Sequence, residues 1–143
     1  MILPTGFKPY SSFSLALEEL ILAVMGIYFV FLRSPLLPED VRYIGLPLSI
    51  LNSQGAGISK WLTKVFIVMG GYIFSTGILL INVAYTSFKN RIPSSFLLVC
   101  IVGLTSIVSM TIINFIINSD FKWILLAFNV PWFLALGFYL CHE

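Results

Sequence analysis

Charge is what this chain has least of. Eight Lys or Arg and six Asp or Glu among 143 residues make 10% charged residues, against about 25% in soluble domains. A net charge of +2 leaves no extended basic face, so nucleic acid is excluded as a partner. Histidine occurs once, at His142. That excludes bis-histidine haem ligation and a Cys/His nucleophile. The two cysteines, Cys100 and Cys141, make neither a disulfide framework nor a zinc site. HExxH, GxSxG, a P-loop, GxGxxG and CxxC are all missing. No cofactor, no metal and no catalytic constellation is expected.

Apolar residues are what the chain has in excess: 59% are hydrophobic and the mean hydropathy is +1.00. A water-soluble globule of this size could not hide so much apolar side chain. The same excess excludes disorder. Four apolar stretches run from about Ser14 to Leu32, Trp61 to Phe88, Ser94 to Asn118 and Phe121 to Cys141. Each matches the roughly 20 residues an α-helix needs to cross a bilayer. The expectation is an all-α bundle of four transmembrane helices, one integral membrane domain over residues 1–143, in the cell membrane. Glu18 and Glu19 precede the first apolar core where a signal peptide carries positive charge, and no A-x-A-like site follows, so that helix is expected to be retained.

Punctuation marks the joints. Ser59 is a candidate N-cap, Pro93 suits a first helical turn, and Asn118-Ser119-Asp120 leaves room only for a tight turn. Pro131 should kink the fourth helix and free the Ala127 carbonyl. The long connection, 33–59, should carry structure of its own. Pro38-Glu39-Asp40 opens a short helix and Gly45 can close it. The segment's leucines and isoleucines place it on the membrane surface or against the bundle mouth. With four crossings, side A holds both termini and the 89–93 turn; side B holds the long connection and the 119–121 turn. Side B carries Arg33, Arg42, Lys60, Lys64 and Lys122 against Lys8, Lys89 and Arg91 on side A, so the positive-inside rule favours side B in the cytoplasm.

Small and polar residues suggest the seams on which the helices pack. In helix two, Lys64, Gly71, Ser75, Asn82 and Lys89 share one line, with Gly70 and Gly77 beside it. Helix one aligns Glu19, Ala23, Gly26 and Arg33. Helix three offers Gly103, Thr111 and Asn114, and helix four Lys122 and Asn129. The packing candidates are therefore Gly26, Gly70, Gly71, Ser75, Gly77 and Gly103. The candidate polar site comprises Glu18, Glu19, Lys64, Asn82, Lys89, Arg91, Asn114 and Asn129. Glu18 and Glu19 are expected near side A, paired with Lys89, Arg91 or His142; Glu19 should be the more buried, and Glu18, aligned with Leu22, Met25 and Phe29 on a more lipid-like face, should reach toward the interface; a proton relay is the alternative. Lys64 either snorkels to the interface or holds an anionic lipid head group with Arg42 or Lys122. The three asparagines are expected to bond between helices.

Leu36-Leu37-Pro38-Glu39-Asp40-Val41-Arg42-Tyr43 after helix one, and Val65-Phe66-Ile67-Val68-Met69-Gly70-Gly71-Tyr72 with Gly77 beyond, resemble small four-helix bacterial membrane proteins, the DoxX-like group and its relatives. The likeness extends to about Asn90. It implies the four-helix architecture and a bacterial source, and it carries no mechanism and no functional residue. Two function classes follow from the residues. One is a non-catalytic accessory or structural subunit, contacting membrane lipids and packed against other membrane subunits or its own copies. The other is a small transporter or lipid- or quinone-handling protein with a pocket between the seams.

Overall fold

A computed structural model describes residues 8–45, 47, 49 and 56–141. Helix α1 spans Lys8–Phe31 and the short α2 spans Pro38–Ile44. Helix α3 spans Ala56–Val83 and continues through a π turn at Ala84–Phe88. Helix α4 covers Pro93–Ile116, with a second π turn at Leu104–Val108. Helix α5 covers Lys122–Leu140 and breaks at Asn129. Four of these helices, α1, α3, α4 and α5, are long and apolar enough to cross a membrane. No strand occurs among the described residues.

Several boundaries follow the local chemistry. Pro93 opens α4, where its missing N–H costs nothing. Pro38 opens α2, the Asp40 carboxyl accepts from Leu37 N at 2.9 Å, and Gly45 closes the helix at φ +73°. That left-handed conformation suits glycine. Two starts lie earlier than the apolar runs imply: α1 begins at Lys8 rather than Ser14, and α3 at Ala56, which puts Ser59 inside the helix and not at its cap. Polar residues are compatible with a helix beyond the edge of an apolar run, so hydropathy alone places the ends too far in.

Helix α1 is the axis of the bundle. It packs along α3 on one side and against α5 on another, and 39% of its apolar window is buried against 17% to 22% for the other three long helices. The α1–α3 contact is antiparallel and close enough to exclude a Cβ. A Cβ on Gly77 would lie 2.7 Å from the Glu19 carbonyl, and one on Gly70 would lie 2.7 Å from the Gly26 carbonyl. Gly26 in turn faces the Phe74 backbone.

The seam of α3 is therefore Gly70–Gly77–Ala84, and the line drawn through its polar residues is displaced. Gly71 has nothing within reach of an added Cβ, and Ser75 is exposed; neither packs against another described helix. Lys64, Asn82 and Lys89, on the same line, are exposed as well. The two small faces of α3 lie about 100° apart, and α1 takes the one whose glycines match Ala23 and Gly26.

Helices α4 and α5 are joined at mid-length by polar contacts. Gly103 sits under the Trp132 indole, whose Nε1 donates to the Val99 carbonyl at 3.2 Å. Asn129 Nδ2 donates to Thr111 Oγ1 and to the Leu125 carbonyl, both at 2.7 Å. At the break ahead of Pro131, Asn129 N turns to Leu126 O at 3.2 Å, which leaves the Leu125 carbonyl to the Asn129 side chain. Nearer side A, Leu15, Ala16, Ala84, Phe88, Val99, Trp132 and Ala135 form one buried apolar cluster. Tyr139 closes it, stacked on Phe88 and Phe96 and covered by the Arg91 guanidinium at 4.5 Å.

Candidate functional site: the cavity beneath α2

The side B half is packed differently. Helices α3 and α4 touch chiefly beside their connecting turn, through residues 84–88 and 93–103. Toward side B a gap opens between them. A cavity of about 720 Å³ fills the space enclosed by α1, α3, α4 and α5 and roofed by α2. A second cavity of about 630 Å³ lies between α3 and α4. The two share Leu22, Met69, Ile73, Thr105 and Ser106 in their walls.

The π turn of α4 shapes the inner wall. Such turns leave backbone carbonyls out of register with their amides, and here hydroxyls take them. Thr105 donates to Ile101 O at 2.8 Å, Ser106 to Val102 O at 2.6 Å and Ser109 to Thr105 O at 2.7 Å. These hydroxyls spend their hydrogens on their own helix, so the deep wall is polar in composition and apolar in behaviour. Leu22, Met25, Met110, Ile124 and Leu125 complete it.

Charged side chains gather at the side B end. Arg33 extends from α1 over the Phe66 ring at 3.8 Å and meets Asp40 of α2 at 3.4 Å. Asn114 lines the same end, its Nδ2 donating to its own helix at Met110 O, 2.9 Å away. Glu39 is buried, and Ser119 Oγ donates to its Oε1 at 3.2 Å. Arg42, on the outer face of α2, donates to Asn118 O at 3.0 Å and Asp120 Oδ1 at 3.1 Å. So α2 is folded onto the bundle mouth and fastened to the α4–α5 turn. Residues 46, 48 and 50–55, which complete the long connection, lie outside the described residues.

The fastening is unequal. The Arg42–Asp120 pair is exposed and is worth at most about 1 kcal/mol, whereas a buried hydrogen bond to a carboxyl is worth about 1.5–3 kcal/mol. Ser119→Ala should therefore unseat α2 more than Arg42→Ala does. Hydrogen exchange of the amides at 38–45 measures this: a larger gain in exchange for Arg42→Ala would contradict the order.

Sequence reasoning placed the polar site elsewhere, and most of its members do not converge. Lys64 reaches the α3–α4 gap, but Arg42 is engaged with Asp120, and Lys122 Nζ donates to the Asn118 side chain. Asn129 does bond between helices; Asn114 bonds within its own, and Asn82 is exposed. Glu18 and Glu19 are 1% and 2% exposed, so both are interior, and neither joins an ion pair among the described residues. The expectation that Glu18 reaches toward the interface is overturned, because Leu15, Glu18 and Leu22 form an inward face on the most enclosed helix. Lys89 is exposed, and Arg91 lies over the Tyr139 ring with its buried Nη2 lacking a hydrogen-bond partner among the described residues. His142 lies outside the described residues. Arg33, Glu39 and Asp40 went unnoticed as site residues; the length and apolarity of the 33–59 connection was the signal available.

No group of three or more His, Cys, Asp or Glu that could hold a metal occurs among the described residues. No family model, no curated protein and no solved structure matches this chain.

Proposed function

We propose that the chain is an integral membrane protein of the cell membrane that holds an amphipathic, lipid-like molecule in the cavity beneath α2, as a small lipid- or quinone-handling protein or transporter does. The cavity is the observation that carries this reading. Its volume of about 720 Å³ falls in the roughly 300–1,000 Å³ range of small-molecule sites. Its long axis, from Leu22 to Arg33 of α1, is about 16 Å at 1.5 Å per residue. One end is apolar with satisfied hydroxyls, and the other carries Arg33, Asp40 and Asn114. A sugar or nucleotide would find no free donors at depth; an apolar tail would lose nothing there, and its head group would meet the charged end. The α3–α4 gap supports passage to and from the bilayer.

Ser106→Phe tests the reading, because Ser106 lines both cavities and a phenyl ring would fill the space where they join. Spin-labelled lipid added to the purified protein should show a motionally restricted fraction with the native chain and lose most of it with Ser106→Phe. An equal restricted fraction for both would reject the cavity as the lipid site.

A second reading, the non-catalytic accessory subunit, is supported by the outward line of α3. Lys64, Gly71, Ser75 and Asn82 are exposed along one side of an apolar helix. Polar groups facing lipid are costly, and a neighbouring helix would relieve that cost.

A further inference from the structure

Glu18 and Glu19 lie in the bundle interior well below its side A end. Glu19 is level with Gly77 of α3, whose own span runs from Gly57 to Phe88. Both oxygens of Glu18 and Oε2 of Glu19 have no hydrogen-bond partner among the described residues. The hydroxyl of Ser12, 2% exposed and on the face of Glu19 two turns nearer side A, is likewise without a partner. Leu22, one turn beyond Glu18 on the same face, lines the cavity that opens toward side B. We propose that Glu18 and Glu19 form a binding site for a monovalent cation, H⁺ or Na⁺, in the core of the bundle.

The argument is one of charge. Adjacent carboxylates shielded from water repel each other and lose their hydration, and such groups persist inside proteins only when neutralised. Among the described residues no neighbouring element forms an ion pair with either glutamate, and Arg91, whose buried Nη2 has no hydrogen-bond partner, lies over the Tyr139 ring. Helix α3 turns Gly77 and Ala84 toward α1, while Lys60, Lys64, Lys89, Tyr72 and Tyr85 are exposed. Helix α5 contributes Trp132, Ala135 and Tyr139 to the adjoining core, with Tyr139 covered by Arg91; its Cys141 is exposed, and Lys122 is bound to Asn118. Cys100 of α4 is half-buried and uncharged as a thiol, and Arg33 is engaged by Asp40. A divalent ion calls for about six oxygen ligands or more, and three carboxylate oxygens stand free here. A monovalent cation offsets one carboxylate and a proton on the other carboxyl neutralises the second, leaving no net charge in the core. The proposal is independent of what fills the cavity.

Dicyclohexylcarbodiimide tests it. The reagent partitions into apolar surroundings and adds across a carboxyl group that carries a proton, remaining attached as an N-acylurea with no leaving group. Full-length protein in vesicles of its own lipids should give an adduct mapped by mass spectrometry to Glu18 or Glu19. Above the midpoint, the labelling rate should fall about tenfold per pH unit, as for a single exchanging proton. If Na⁺ is the cation, added Na⁺ should protect at fixed pH; if H⁺ is, Na⁺ should have no effect. The double variant Glu18→Gln, Glu19→Gln keeps the shape of both side chains, should fold, and should lose the adduct. Absence of an adduct on either glutamate at every pH tested, or a rate indifferent to both pH and Na⁺, would overturn the proposal.

Discussion

Gly26→Leu is expected to unseat α1 from α3, and Gly71→Leu to leave the bundle intact. A Cβ at Gly26 would fall onto the backbone of Phe74 and within 2.8 Å of the Gly70 carbonyl. Backbone cannot swing aside as the end of a side chain does, so the two helices would have to separate along their length. Overpacking a core costs about 1–3 kcal/mol where side chains can adjust, and this site has no such freedom. On the membrane reading proposed above, small residues matter because apolar helices in lipid associate by close backbone approach rather than by a hydrophobic force. At Gly71 an added Cβ meets nothing within 4 Å. Thermal unfolding followed by helical circular dichroism distinguishes the two variants. Equal shifts in Tm, or a larger shift for Gly71→Leu, would mean that α3 faces α1 with its other side.

Asn129→Leu should be the most damaging of the asparagine changes. Leucine keeps the volume but withdraws both donated bonds, to Thr111 Oγ1 and to the Leu125 carbonyl. Thr111 still donates to Ile107 O at 2.9 Å and approaches Leu125 O at 3.2 Å, so part of the network survives. Leaving buried polar atoms short of partners costs about 1–3 kcal/mol, and bonds between membrane helices average nearer about 0.6 kcal/mol each. The loss should therefore show as a Tm decrease of several degrees, with α5 loosened at its break. Asn82→Leu removes an exposed side chain whose packing within the chain is slight and should leave Tm unchanged. A stability loss for Asn82→Leu equal to that for Asn129→Leu would place Asn82 at a contact with another copy or another subunit.

The architecture was legible because length and hydropathy are one-dimensional properties. Four helices, a short α2 opened by Pro38 and closed by Gly45, and an α4 begun at Pro93 all follow from local rules. Helix phase was harder to read. In α3 two small faces compete, Gly70–Gly77–Ala84 and Gly71–Ser75–Asn82, and both are flanked by leucine and isoleucine. Only the partner's surface, Ala23 and Gly26, decides between them, and that information lies outside the α3 segment. Glu18 was misplaced for a related reason. Its neighbours Leu22, Met25 and Phe29 read as a lipid-facing stripe, but a central helix has partners on more than one side, so an apolar stripe on it marks interior. A pocket between the seams was one of two expectations, but its position and walls were not legible. It arises because α3 and α4 meet near one end and part toward the other. In the sequence the residues of its charged end form an ordinary loop boundary; only the folded chain brings Arg33 of α1 against Asp40 of α2, with Glu39 beside it.

Native mass spectrometry of the protein, released gently from its own membrane, tests the central claim most directly. The account predicts a protein peak carrying one retained amphipathic molecule, still bound when surrounding lipids have been stripped and lost from Ser106→Phe. A bare chain under the same conditions, or a chain held tightly to a second membrane subunit with no retained lipid, would contradict it.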